Sequence, residues 1–185
     1  MAKYSNSIMV SVMLFFLLAC NTSKHSEVNN ISNKTSKEYT VSGQTTQTTS
    51  YWGGACPNKE ILDAMRTPRA YPGKKFHVRK GNINTLATPI IISFTTDDSG
   101  NFSFKLPPGT YSIIQDEQAK SIKSKDYKSQ NISVDEKCLK EWWAKPYYLL
   151  KVKDAAIAGL KFEFNRSGIM PNDVPCQEYT GPQPP

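Results

Sequence analysis

Several runs between Lys75 and Phe164 place apolar residues on every second position. Phe76 and Val78 share one face of a strand, with Lys75, His77 and Arg79 on the other. Phe102, Phe104 and Leu106 alternate in the same way, as do Tyr148, Leu150 and Val152, and then Leu160, Phe162 and Phe164. Pro89–Thr95 (PIIISFT) is a short apolar run opened by proline, and Tyr111–Gln115 continues the series. Asp97-Asp98-Ser99-Gly100-Asn101 and Pro107-Pro108-Gly109 carry turn chemistry. These runs predict a meander through residues 89–115 and a hairpin through Asp154–Gly159.

Two stretches switch to helical spacing. Pro57–Arg66 places Pro57 in a first turn and Ile61 one turn before Met65. Ser133 and Glu136 have capping-box spacing, and the helix they open carries Leu139, Trp142 and Trp143 on one side until Pro146 ends it. Glu117–Asn131 is polar and lysine-rich, which predicts a loop. Ile169–Pro185 is rich in Pro and Gly and predicts an irregular tail. The fold class expected is mainly β, a small antiparallel β-sandwich with one or two short helices.

The N-terminus follows a different logic. Lys3 precedes Ile8–Leu18, an apolar run broken only by Ser11. It is too short to span a bilayer and has the length of a signal-peptide core. It ends in Leu17-Leu18-Ala19-Cys20, which resembles the bacterial lipobox. That resemblance implies cleavage before Cys20 and a thioether-linked diacylglycerol on it, usually with a further acyl chain of the palmitate type. Several acyl chains, at about 0.8 kcal/mol per buried methylene, make a stable anchor. Asn21 is not the Asp of an inner-membrane retention signal, and the residues after Cys20 lack an acidic surface-export cluster. The expected location is the outer membrane of a Gram-negative cell, on its periplasmic face.

Asn21–Ser50 is dominated by Ser, Thr, Asn, Lys and Gln and predicts a flexible tether. The expected organisation is a signal peptide over 1–19, lipidated Cys20 and tether over 20–50, and one domain over 51–185. The net charge is +7, from 23 basic and 16 acidic residues. It is spread along the chain rather than gathered with aromatics into a nucleic-acid-binding stripe.

Thr95 to Phe104 (TTDDSGNFSF), followed by Leu106 to Tyr111 (LPPGTY), resembles the carboxypeptidase regulatory-like, or transthyretin-like, β-sandwich family. The match covers residues 74–116. The family's opening G-x-V strand is not visible before Lys75. In bulk the chain is similar to short envelope lipoproteins of Bacteroidetes that carry such a module. The resemblance implies an Ig-like sandwich and is silent about chemistry.

With Cys20 committed to lipid, Cys56, Cys138 and Cys176 remain for an oxidising compartment. The expected pair is Cys138–Cys176, stapling the tail to the tryptophan helix, with Cys56 left over; the alternative gives Cys56 one of those partners. His77 is the domain's one histidine and lies on the face with Lys75 and Arg79, so it is expected in solvent. No metal-ligand set and no nucleophile, base and orienter stand out. Asp97, Asp98 and Asn101 break the calcium-loop pattern. Related pilin-type β-sandwiches make a Lys–Asn amide cross-link assisted by a buried acid, and similarity to them would imply Lys75 and Asn165; both fall on outward faces, and the position that would supply the acid is Gln115. Trp142, Trp143 and Tyr147 are candidate binding aromatics for a glycan, against core packing of the same stripe.

The function expected is a membrane-anchored, non-catalytic binding or accessory module without cofactor or metal. Its partners would be the membrane, through Cys20, and an envelope protein or glycan, not nucleic acid. A structural spacer is the alternative, and a hydrolase with an unrecognised site is a third reading.

Overall fold

The computed structural model describes residues 36–182 except Gly54 and Cys56. The leader, Cys20, the tether as far as residue 35, and Cys56 lie outside the described residues. The elements in chain order are β1 (Tyr39–Ser50), α1 (Lys59–Arg66), β2 (Arg69–Ala70), β3 (Lys75–Lys80), β4 (Ile90–Thr95), β5 (Asn101–Leu106) and β6 (Gly109–Gln115). Then follow β7 (Ile132–Val134), α2 (Glu136–Ala144), β8 (Tyr148–Val152), β9 (Ile157–Ser167) and β10 (Gln177–Tyr179).

Two four-stranded sheets enclose the core. In the first, β1 is central, with β5 and β2 antiparallel to it and β9 parallel. The second runs β4-β3-β6-β8, all antiparallel. Val41, Phe102, Leu106, Phe162 and Phe164 face Phe76, Val78, Tyr111, Ile113, Leu150 and Val152. Aromatic rings join the sheets: Phe76 lies 5.3 Å from Phe162 and Phe94 5.0 Å from Phe102, centroid to centroid. Each such side chain contributes about 1.5–3 kcal/mol of burial. The described residues form a small, mainly β sandwich with two short α-helices, as the alternating pattern predicts.

The part of the expected tether over 39–50 is instead the central strand. Val41 and Thr45 are fully buried. The stretch is polar, but its threonines and Val41 are β-branched and suit a pleated surface. Pairing on both sides satisfies the backbone, so few apolar side chains suffice. Gly43 sits where a Cβ would collide with the Leu160 carbonyl oxygen and the Phe102 ring. Only glycine allows that approach, and the β1–β9 register shifts beside it. The domain therefore begins before residue 51.

Connectivity also differs from the predicted meander and hairpin. β4 and β6 belong to the second sheet, while β5 between them pairs with β1 in the first. β8 pairs with β6 and β9 with β1, so the link after Val152 crosses between sheets. Alternation specifies which side chains point inward, and a strand of either sheet satisfies it.

The turns explain the motif residues. Asp97 Oδ1 accepts from the Ser99 and Asn101 amides at 2.9 and 2.7 Å, and Gly100 takes φ 76°. The Tyr111 hydroxyl donates to the Pro107 carbonyl at 2.8 Å across the Pro-Pro-Gly turn. In α1, Asn58 is the cap, accepting from the Ile61 amide at 2.9 Å, so Pro57 precedes the helix. In α2 the cap is Asp135, accepting from Lys137 and Cys138 amides. Ser133 lies in β7, and its predicted capping role is taken by the carboxylate two residues later, a stronger acceptor. The tail is not wholly irregular: β10 pairs with β7.

Candidate functional site

The outward face of the second sheet is covered. Residues Asp116–Ala119 form a 3-10 turn after β6, and with α2 they place a polar layer over β3 and β6. Ile114 and Leu139 are buried outside the main core. Gln118 is fully buried; its Nε2 donates to the Trp142 and Lys145 carbonyls at 2.8 Å, and its Oε1 accepts from the Gln115 amide at 3.0 Å. Asn84 Nδ2 donates to the Gln118 and Trp143 carbonyls at 2.9 Å. These two amides close the C-terminal end of α2, whose last carbonyls would otherwise lack partners. The disulfide Cys138–Cys176, with Cα atoms 5.7 Å apart and a sequence separation of 38, ties α2 to the tail.

This layer overturns the expected exposure of His77. His77 is 5 % exposed and Arg79 3 %. His77 Nδ1 lies 2.7 Å from Ser93 Oγ and Nε2 2.8 Å from Asp116 Oδ1. Arg79 donates to the Thr88 carbonyl and, at 2.9 Å, to the Ala119 carbonyl. The hydrogen bond from His77, and then Lys75 at 3.1 Å, hold the Asp116 carboxyl below its ordinary pKa. Ser93, His77 and Asp116 form a continuous polar chain, but Ser93 is exposed on the outer strand β4. The chain braces β4, β3 and the 3-10 turn against one another.

Of the candidate aromatics, Tyr147 packs against the core. Its ring stacks on Phe164 at 5.0 Å and packs edge-on to Phe162 at 5.3 Å. Burial pushes its hydroxyl pKa up to about 12, and the hydroxyl donates to the Glu163 carbonyl. Trp142 and Trp143 are half-buried, and Trp143 Nε1 donates to the Lys120 carbonyl at 2.7 Å.

Two arrangements escaped the sequence reading. The first is a buried ionic cluster. Lys74 Nζ lies 2.8 Å from Asp173 Oδ2 and 3.6 Å from Glu117 Oε1. The Tyr71 hydroxyl donates to the same Asp173 oxygen at 2.6 Å, and Arg166 Nε lies 3.4 Å from Oδ1. Burial, then the hydrogen bond to Asp173, raise the Tyr71 pKa well above the ordinary phenol value. Lys75 and Asn165 take no part in it: Lys75 pairs with Asp116, and Asn165 accepts from the Ser50 hydroxyl. Lys74 precedes the alternating run and Asp173 sits in the tail, so periodicity gave no signal for either. The second arrangement is aliphatic. Ile83, Leu86 and Ile91 are 59, 53 and 46 % exposed, and with Ile90 they line the approach to β4 and the strand itself. Two clefts of 390 and 370 Å³ lie elsewhere, between α1 and the ends of β1 and β9.

No family model matches the chain, and no curated protein matches it. Among solved structures, the chain is similar to the Bacillus anthracis TIE protein at 13 % identity, covering 70 % of this chain and 17 % of that one, with a TM-score of 0.33. It is also similar to the N-terminal domain of the shaft pilin spaA from Lactobacillus rhamnosus GG, at 11 % identity and TM-score 0.33, covering 69 % of this chain and 92 % of that one. A mutant of the longer shaft pilin gives 10 % identity, 71 and 51 % coverage and the same TM-score.

Proposed function

We propose that this chain is a membrane-anchored, non-catalytic lipoprotein of the cell envelope whose sandwich binds a protein partner along β4. The observation that carries the binding reading is that Ile83 and Leu86, before an outer strand, and Ile90 and Ile91, within it, are all exposed. An outer strand offers unpaired backbone donors and acceptors, and apolar side chains beside it supply contact area. A glycan platform on the aromatic stripe has less support, because Tyr147 is packed in the core. The Ser93–His77–Asp116 chain serves as bracing in this reading, and the chain is not an enzyme.

The anchor rests on the leader and on Leu17-Leu18-Ala19-Cys20. The outer membrane, periplasmic face, is the proposed location, and the finer family is the carboxypeptidase regulatory-like module. The Asp97 turn and the Tyr111–Pro107 hydrogen bond support that likeness by giving the motif residues structural roles.

Two measurements test this. Intact mass of the membrane-extracted protein should correspond to a chain starting at Cys20 with diacylglycerol and acyl mass, and globomycin should block that processing. A soluble product cut elsewhere would overturn the anchor. A photo-crosslinking residue at Ile91 should give one discrete protein adduct in cells, lost on Ile83→Asp; the same residue at Lys153 should give none. Absence of an adduct at Ile91 would favour a spacer.

A further inference from the structure

The cluster around Lys74 does more than neutralise charge. The side chains of Lys74 and Asp173 are 8 and 6 % exposed, and they come from the start of β3 and from the tail, 99 residues apart. Lys74 Nζ also lies 5.0 Å from the Phe164 ring centroid and 5.9 Å from that of Tyr71. A buried ion pair carries a desolvation cost that its own attraction offsets only in part. Converting it to a neutral amide removes that cost. The nucleophile and the carboxyl are already at contact distance, which replaces an encounter in solution with an intramolecular step.

We propose that Lys74 and Asp173 condense to an intramolecular amide, with Glu117 as the proton relay. Lys74 Nζ gives a proton to Glu117, and its freed electron pair attacks Asp173 Cγ. Arg166 faces Oδ1, the oxygen that holds negative charge in the tetrahedral intermediate. The Nζ–Cγ bond forms and the Cγ–Oδ2 bond breaks. Of the three ammonium protons, one stays on the amide nitrogen and two leave on Oδ2 as water. Glu117 ends as it began, and no oxidant, reductant or cosubstrate is consumed.

Three features fit this role. Glu117 Oε1 faces Lys74 Nζ, while its Oε2 is buried without a protein partner among the described residues. Tyr71 donates to the departing oxygen. Tyr71, Lys74, Glu117, Arg166 and Asp173 line a 270 Å³ cleft, with Lys75 and Asp116 at the same cleft, through which the water can leave. The product would fix the tail to β3 independently of redox state, beside the disulfide at Cys176.

The test uses the full chain extracted from membranes, reduced, alkylated and digested with trypsin. The expected product is a branched peptide joining residues 70–75 to 167–185, about 18 Da lighter than the two together, the mass of one water. Lys74→Arg keeps the charge but should give unlinked peptides. Asp173→Asn should still link, losing about 17 Da as ammonia instead. Glu117→Gln should leave the peptides unlinked while the Cys138–Cys176 disulfide and the circular dichroism spectrum are retained. Quantitative recovery of unlinked wild-type peptides, from protein whose disulfide was intact before reduction, would overturn the proposal and leave an ion pair.

Discussion

Gln118 Nε2 donates to the Trp142 carbonyl oxygen at 2.8 Å. One buried side chain on the turn after β6 thus closes a helix that starts more than fifteen residues later, and does so through groups that no local pattern links. Removing the amide strands the Lys145 carbonyl and the Gln115 amide, and leaves the Trp142 carbonyl with only the Lys145 amide at 3.2 Å. An unsatisfied buried polar group costs about 1–3 kcal/mol. Gln118→Ala should therefore lower stability by about 2–4 kcal/mol in urea denaturation, with the loss concentrated in α2 by hydrogen exchange.

The central position of β1 makes a sharper prediction. A chain starting at residue 51 should fail to fold, because β5, β2 and β9 lose their common neighbour. Gly43→Ala should destabilise the full domain by about 1–3 kcal/mol through overpacking against Leu160 and Phe102. Circular dichroism melts of both variants check this; a folded chain starting at 51 would contradict the assigned sheet.

Removing the disulfide should also be measurable. Cys138→Ser with Cys176→Ser should lose about 3–4 kcal/mol by the chain-entropy account. The Asp135 amide, which donates to the Cys176 carbonyl at 2.9 Å, should exchange faster together with the β7–β10 pair. Unchanged protection at these amides would show that the tail is held by other contacts.

Acid should weaken the brace around His77. The pKa of Asp116 is depressed in the folded chain, first by its hydrogen bond to His77 and then by Lys75. A depressed carboxyl contributes stability that is fully present above its unfolded value, about 3.9, and is lost as pH falls through the folded value. Asp116→Asn should flatten the stability curve below pH about 4. Chemical denaturation across that range reads the difference.

Much of the secondary structure was legible. The inward faces of β3, β5, β8 and β9 and the Asp97 and Pro107 turns follow from local alternation and turn chemistry; the cysteine count implied one disulfide and an odd thiol, and the structure pairs Cys138 with Cys176. β1 was not legible, because Tyr39, Val41 and Thr45 are too few apolar or half-apolar points to mark a strand among so many polar ones. His77 was misplaced for a related reason: alternation separates two faces but does not say what covers the second. Glu117 sat in a segment that reads as loop, and only the 3-10 turn brings it to Lys74.

The sequence by itself determined a mainly β chain, its turns and its second helix, because these depend on residues close in sequence. Tertiary structure alone decided which sheet each strand joins, which polar stretch becomes the central strand, and which charges meet in the interior. Those choices depend on contacts between residues such as Lys74 and Asp173, 99 positions apart. Their energy lies in the burial and pairing of surfaces that exist only once the chain has folded.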